Sequence, residues 1–368
     1  MSKIRKYVGL DVHKDSISIA VAEEGREAPR FLKRIPNDTT RLMRVLRSLG
    51  DAGEIHCAYE AGPTGYGLQR ALSSKGVKCD VIAPSEIPRK NGKRVKTDRL
   101  DAIGIAHHLR SGNLTPICIP DEEVEAMRDL TRGREDAKLA EKGAKHRLSK
   151  FLLRQGRRYP GKTYWTNMHL DWVRKQSFGH EAQDLVLREY LTSLERARSQ
   201  VARMTDAIER FAKETKLAPL IAAFRAFRGI DTVTATALAF ELIDLKRFLT
   251  APKLMGYLGI VPSEHSSGET CSKGGITKSG NTRVRCLLIE AAHNNLFPPK
   301  VTQRLRKRQE GVSPEVIEIA WRAQERLYHR FQTLSRRGKN KKCIVTAMAR
   351  ELVGFIWSVG QQEHLLAN

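Results

Sequence analysis

Apolar and polar positions alternate through the first part of the chain. Residues 6–12 (KYVGLDV) form a short β-rich run with an acid, Asp11, at its end. Ile17, Ile19 and Val21 alternate with polar or small residues and predict a second strand. Phe31 and Leu32 mark a third, after a turn around Gly25. The period then lengthens: Leu42, Val45, Leu46 and Leu49 predict a helix over about 39–49. Residues 55–59 read as a fourth strand ending in Glu60, Gly62, Pro63 and Gly65 as a turn, and Leu68 and Leu72 as marks of a helix. A fifth strand is predicted over 77–83. After a basic loop (Arg89, Lys90, Lys93, Arg94, Lys96), the positions Leu100, Ile103, Ile105, Ala106 and Leu109 predict a helix whose first turn carries Asp98 and Asp101.

From about residue 122 the pattern changes to long, charged helices. Leu130, Ala137, Ala144 and Phe151 lie seven apart on one. On another, Leu187, Tyr190, Leu194, Ala197, Val201, Met204, Ile208 and Phe211 alternate spacings of three and four, the a/d seam of a coiled coil, within the chain or between subunits. Residues 155–179, rich in aromatics and holding Pro160, read as an irregular crossover. A third unit starts near Lys216. Residues 227–234 suggest a hairpin between two helices and resemble helix-hairpin-helix modules, which hold a DNA phosphate on backbone N–H groups; Arg228 and Gly229 are the candidates there. A Gly- and Ser-rich loop is expected over 259–280, a helix over 282–293, and then a very basic helical tail. The expected domains are 1–121, 122–215 and 216–368.

Charge narrows the class of partner. Lys and Arg number 65 against 41 Asp and Glu, a formal net charge of +24, so a polyanion is expected. Aromatics are only 6% of residues, which makes phosphate rather than stacked bases the expected contact. No unbroken apolar run approaches the roughly eighteen residues of a membrane span, and the first residues lack the apolar core of a signal peptide. Six scattered cysteines with no C-x-x-C pair argue against structural zinc or a disulfide framework. A cytoplasmic protein with no membrane partner is expected.

Three sequential strands followed by alternating strand and helix, with acids at strand ends, make a ribonuclease-H-like α/β pattern, succeeded by mostly helical segments. In such a sheet Asp11 and Glu60 end neighbouring strands and the Asp98 helix packs across them. An isolated D-x-x-D usually serves the helix dipole. Four converging carboxylates (Asp11, Glu60, Asp98, Asp101) instead require divalent cations, and Mg²⁺ suits such hard oxygen ligands. Two ions about 3.5–4 Å apart can clamp the attacking and leaving oxygens of a phosphodiester. A second candidate is the Ser-Gly stretch 262–268, ahead of a helix bearing Arg283 and Arg285. Ser-Gly-rich loops are usually turns, and a serine is a poor nucleophile unless a base, metal or positive field assists it.

The motifs 7–14 (YVGLDVHK), 59–66 (YEAGPTGY), 82–85 (IAPS), 96–102 (KTDRLDA), 259–268 (GIVPSEHSSG) and 274–281 (GGITKSGN) resemble those of the DEDD-type bacterial insertion-sequence transposases, the one-ten family. They occur in order over nearly the whole chain. The forms after Glu60 and before the serine are similar to the eleven-eleven branch. The resemblance implies a RuvC-like N-terminal domain joined by a coiled coil to a C-terminal transposase domain. It implies that Asp11, Glu60, Asp98 and Asp101 bind Mg²⁺ and that a serine attacks DNA; Ser267 matches, with Ser266 one residue away. It also implies a structured non-coding guide RNA (bridge or seek RNA), double-stranded donor and target DNA, and dimers pairing into tetramers in which one subunit's acids complete the site around another's serine. Lys96, Lys278, Arg283 and Arg285 join Arg228 and Gly229 as candidate nucleic-acid contacts. The expected function is an RNA-guided, Mg²⁺-dependent DNA recombinase working through a phosphoserine. Its rivals are a Holliday-junction-type nuclease using water at the four acids, and a non-catalytic nucleic-acid-binding protein.

Overall fold

β1 (Lys6–Val12) lies at the centre of a five-stranded sheet because its neighbours in sequence and in space differ. It pairs antiparallel with β2 (Ser16–Glu23), which pairs antiparallel with β3 (Arg30–Pro36). On its other side it pairs parallel with β4 (Ile55–Glu60), itself parallel to β5 (Lys78–Ile82), giving the order β3-β2-β1-β4-β5. The computed structural model describes residues 3–88, 97–267 and 270–362, and of His265, Ser267, Thr270 and Cys271 the backbone only. The chain divides into two compact units, Met1–Ile119 and Pro120–Asn368.

In the first unit the two faces of the sheet are covered differently. Val8, Leu10, Ile17, Ile19, Cys57 and Tyr59 share a core with Leu42 and Leu46 of α1 (Thr39–Arg47) and Leu72 of α2 (Gly67–Ser73). Each such aliphatic, fully buried, contributes about 1.5–3 kcal/mol. The opposite face is covered by α3 (Asp98–Arg110), through Ala102 and Ala106 against Ala20 and Ala22, and through Ile105 and Leu109 against Ala58 and Ile82. Small residues on both sides let the helix come close. An added Cβ on Gly9 would stand 2.2 Å from the Ala102 carbonyl oxygen and 2.4 Å from the Ala106 nitrogen. A side chain there is excluded by backbone, so glycine is required.

In the second unit, α4 (Glu122–Arg154) and α6 (Glu181–Glu214) run antiparallel as partners within the chain. Gln183 donates to Gln155 at one end (3.1 Å), Arg134 to Thr205 nearer the other (3.0 Å), and Thr215 to Glu123 beyond that (2.5 Å). The heptad seam is therefore intramolecular. Its midpoint holds a buried acid, Glu141, contacted by Lys138, Lys145 and Arg198. The crossover is more ordered than its sequence suggested. It contains α5 (Asn167–Arg174), capped by Thr166, and buried His169 ringed by Tyr159, Tyr164, Trp165 and Trp172.

The remaining helices share one large core with the ends of α4 and α6: α7 (Ala218–Arg225), α8 (Thr232–Leu242), α9 (Ala251–Tyr257), α10 (Thr282–His293), α12 (Pro314–Arg336) and α13 (Lys341–Gly360), with α11 (Gln303–Gln309) packed on α7. α13 is long and apolar enough to cross a bilayer despite the absence of an unbroken apolar run, but half of its apolar stretch is buried in this core. The predicted Gly- and Ser-rich loop is a correction: residues Pro262–Ser267 (β6) and Thr270–Ile276 (β7) form an antiparallel hairpin. Its exposed positions, Pro262, Glu264, Ser266 and 272–275, leave no apolar alternation to reveal it.

Candidate active site

Strand alternation sorts the side chains of β1. Val8 and Leu10 point to the α1–α2 face, so Gly9 and Asp11 belong to the face that α3 covers. On β4, Cys57 and Tyr59 share the first face, which gives Ala58 and Glu60 to the second. Parallel register pairs Leu10 with Tyr59, so Asp11 and Glu60 are the next residues on adjacent strands, on one face. α3 starts over that edge. Its N-cap is Thr97, whose hydroxyl accepts the Leu100 N–H (3.3 Å), so the capping bond does not account for Asp98 and Asp101 in the first turn.

Asp11, His13 and Asp98 bring ligand atoms within 4.8 Å of one another. The His13 Nε2 lies 3.1 Å from Asp11 Oδ2 and 3.5 Å from Asp98 Oδ1, and Arg34 lies 3.7 Å from Asp98. Burial raises the Asp11 carboxyl above its ordinary range; His13 opposes this, and the charges of Asp98 and Asp101 add to it. A sunken carboxylate repelled by two others is the donor set a divalent cation suits, since the ion would remove the repulsion and favour the ionised form. Asp11, His13 and Asp98 are the side chains whose ligand atoms come together here, while Asp101 acts on Asp11 through its charge and Glu60 ends the adjacent strand. Sequence reasoning missed His13; its signal was the i, i+2 spacing from Asp11 at the strand end.

The serine stretch sits on the β6–β7 hairpin, with Ser267 paired to Thr270 and Ser266 to Cys271. The Ser266 hydroxyl donates to Glu264 (2.8 Å), a carboxylate placed as a base would be. The stem is held tightly. Gly280 takes φ +67°, and a Cβ there would stand 1.8 Å from the Tyr257 carbonyl oxygen. Arg285, only 6% exposed, donates to the carbonyls of Leu258 and Ser279 and to Thr282. Beneath it Glu241, 3% exposed, accepts from both Arg132 and Asn281, the N-cap of α10. Burial would raise the Glu241 pKa, but the bonds from Arg132 and Asn281 and the charge of Arg128 bring it below the usual range.

Several candidate nucleic-acid contacts are occupied within the protein. Arg285 is the clearest correction: its guanidinium is committed to the hairpin stem. Arg228 donates to the carbonyls of Phe297 and Pro298, and Gly229 packs on Ala291 and Asn294 at the end of α10. Asp231 caps α8 by accepting the Thr234 N–H (2.8 Å), so an acid stands where the hairpin module was expected to offer amides to phosphate. Arg283 pairs with Glu135. Lys278 occupies the left-handed region (φ +58°) in the stem. Lys96 and Gly268 lie outside the described residues.

Comparison with known families adds to this geometry. A transposase family model of the DEDD type matches residues 8–155, and the transposase IS116/IS110/IS902 family model matches residues 221–306. The candidate transposase y4qE of Sinorhizobium fredii is 43% identical over 97% of this chain and 88% of its own length. The transposase for insertion sequence element IS1533 of Leptospira borgpetersenii is 31% identical over 92% of this chain and 99% of its own. The transposase for insertion sequence element IS1111A of Coxiella burnetii is 27% identical over 36% of this chain.

Proposed function

The chain belongs to the IS116/IS110/IS902 family of transposases, DNA strand-transfer enzymes with a metal-dependent DEDD domain, and we propose that it is an RNA-guided recombinase that moves its own insertion sequence through a covalent phosphoserine. The observation that supports the metal half is the approach of Asp11, His13 and Asp98 ligand atoms to within 4.8 Å, with the Asp101 charge acting on Asp11 and Glu60 at the end of the adjacent strand. A divalent ion, Mg²⁺ by the hardness of the donors, would supply charge neutralisation at the phosphate undergoing attack. Asp11 and Asp98 would hold it, with Glu60 and Asp101 completing the set, and His13 would orient Asp11 by hydrogen bond.

The chemistry assigned to Ser267 is an ester exchange. Its Oγ attacks a backbone phosphorus, one phosphate ester forms and another breaks. The serine proton passes to a base and the departing DNA oxygen takes up a proton. A DNA hydroxyl then attacks the phosphoserine and releases the serine, so strands rejoin with no external energy source. Lys278, and Arg283 if it exchanges Glu135 for the phosphate, are candidates to stabilise the phosphate charge. The Glu264–Ser266 contact favours one specific second reading, in which Ser266 is the nucleophile and Glu264 its base.

Guidance by a structured non-coding RNA rests on the motif resemblance and on the +24 charge, enough to bind two kinds of polyanion. Membership of the eleven-eleven branch and assembly of dimers into tetramers rest on the same resemblance. The deciding experiment traps the protein on a nicked suicide substrate with its guide RNA and Mg²⁺, then maps the adduct by mass spectrometry. An adduct on Ser267, lost in Ser267→Ala together with recombination, is the expected result. An adduct on Ser266 moves the nucleophile by one residue. Efficient cleavage with no adduct anywhere means water attack at the four acids and overturns the phosphoserine.

A further inference from the structure

One strongly charged concavity has no part in the chemistry above. Within the helical unit, α4, α6, α7, the start of α8 and α11 enclose a cleft of about 640 Å³. Five basic side chains line it, Arg134, Lys213, Arg225, Arg304 and Arg308, against two acids, Glu209 and Asp231. Two of the arginines are held in place: Arg134 donates to Thr205 (3.0 Å), and Arg308 to the Ile230 carbonyl (2.5 Å). The Nε–H groups of Arg225 and Arg308 are nevertheless buried with no hydrogen-bond partner among the described residues. Burial pushes the Arg308 guanidinium below its usual range; the charges of Arg304 and Arg225 push it further and Asp231 opposes them.

Arginine stays charged in proteins, so this cluster holds like charges together around unsatisfied donors, an arrangement that costs stability unless an anion completes it. The ligand chemistry follows from the lining. Planar guanidinium forks match phosphate oxygens in pairs. No lining side chain is aromatic, so nothing there would stack a base. The amide end of α8 is already capped by Asp231, which leaves the arginines rather than backbone N–H groups as donors. We propose that this cleft seats the phosphodiester backbone of the DNA on which the enzyme acts, with Arg225, Arg304 and Arg308 as its contacts and no discrimination of sequence. The proposal rests on DNA binding by the transposase; it is independent of the serine and of the guide RNA.

The test uses the full chain in EDTA, so that no strand is cut, and follows binding of a labelled element-end duplex by fluorescence anisotropy between about 50 and 200 mM salt. For every phosphate that no longer meets a cation, the plot of log K against log salt should become shallower by about 0.9. Arg225→Gln with Arg304→Gln should therefore reduce the slope by about 1–2, and weaken a scrambled duplex as much as the element end. Arg225→Lys with Arg304→Lys should restore most of the slope, because the point charges remain. If the double Gln variant does not keep its circular dichroism spectrum, Arg304→Glu alone, at an exposed position, is judged by the same criterion. An unchanged slope overturns the proposal. So does an equal fall in slope on removing two charges elsewhere, at Arg196 and Arg203, or weakening seen with a structured RNA but not with duplex DNA. Failure of the wild-type chain to bind any DNA would instead remove the premise of guide-independent DNA binding on which the proposal rests.

Discussion

Gly9→Ala is the sharpest test of how the carboxylates are brought together. The added methyl would lie 2.2 Å from the Ala102 carbonyl oxygen, 2.4 Å from the Ala106 nitrogen and 3.1 Å from its Cα. All three are backbone atoms of α3, so no rotamer change relieves them. Restoring an ordinary contact of about 3.4 Å to the carbonyl oxygen requires α3 to withdraw from β1 by about 1.2 Å at that turn. Overpacking of this kind costs about 1–3 kcal/mol, and rigid neighbours put it near the upper end. α3 carries Asp98 and Asp101, so the same shift draws them from Asp11; a misplacement of about 1 Å can lower a rate about 100-fold. Urea unfolding of the first unit and strand transfer in Mg²⁺ should both be measured. Loss of activity beyond the unfolded fraction is the expected result. A variant with wild-type stability and rate would refute the claim that the close approach at Gly9 sets the site.

Asp11→Asn should abolish strand transfer in Mg²⁺ while the metal-free fold is as stable as the parent, because Asp98 and Asp101 no longer repel a buried charge; wild-type recombination by this variant would remove Asp11 from the metal site. Val201→Glu with Met204→Glu should destabilise the second unit by about 1–3 kcal/mol without changing the mass in light scattering, since that seam packs on α4 of the same chain; a changed mass with the fold retained would assign the seam to subunits as well. Burial would raise the Glu141 pKa, but hydrogen bonds from Lys138 and Lys145 hold it down at about 2. A depressed acid contributes stability that is complete above its unfolded value, near 4.5, and lost as pH falls toward 2. Glu141→Gln should flatten that acid limb in a pH series of thermal melts, and an unchanged limb would discount the cluster.

The element ends that carry the acids were legible: β-rich runs over 6–12 and 55–59 each close on an acid, and the helical spacing from Leu100 to Leu109 fixes where α3 begins. The α4–α6 seam was legible as a seam but not as an intrachain pair. A three-four repeat states which face is apolar and is silent on whose helix covers it. The crossover read as irregular because α5 is short and its cluster is aromatic around a histidine, with no repeat to count. The β6–β7 hairpin gave no pattern at all, since its exposed polar positions bury nothing that alternation could report.

Arg285 shows why charge alone misassigned part of the site. Five N–H donors in a fork serve a phosphate or a set of carbonyls equally well, and basic composition cannot separate the two uses. What separates them is the neighbourhood. Arg285 stands in the first turn of α10, facing the carbonyls of Leu258 and Ser279 where the two hairpin strands close. Glu241 belongs to the same arrangement and was missed in the sequence, although a lone acid in the apolar run of α8 must be buried with partners; Arg132 and Asn281 are those partners. A hairpin with no apolar face has little to keep its direction except its stem. Glu241, Asn281 and Arg285 therefore fix the direction in which the hairpin leaves the core. For a hydroxyl carried on that hairpin, stem rigidity stands in for the packing that positions Asp11 on the sheet.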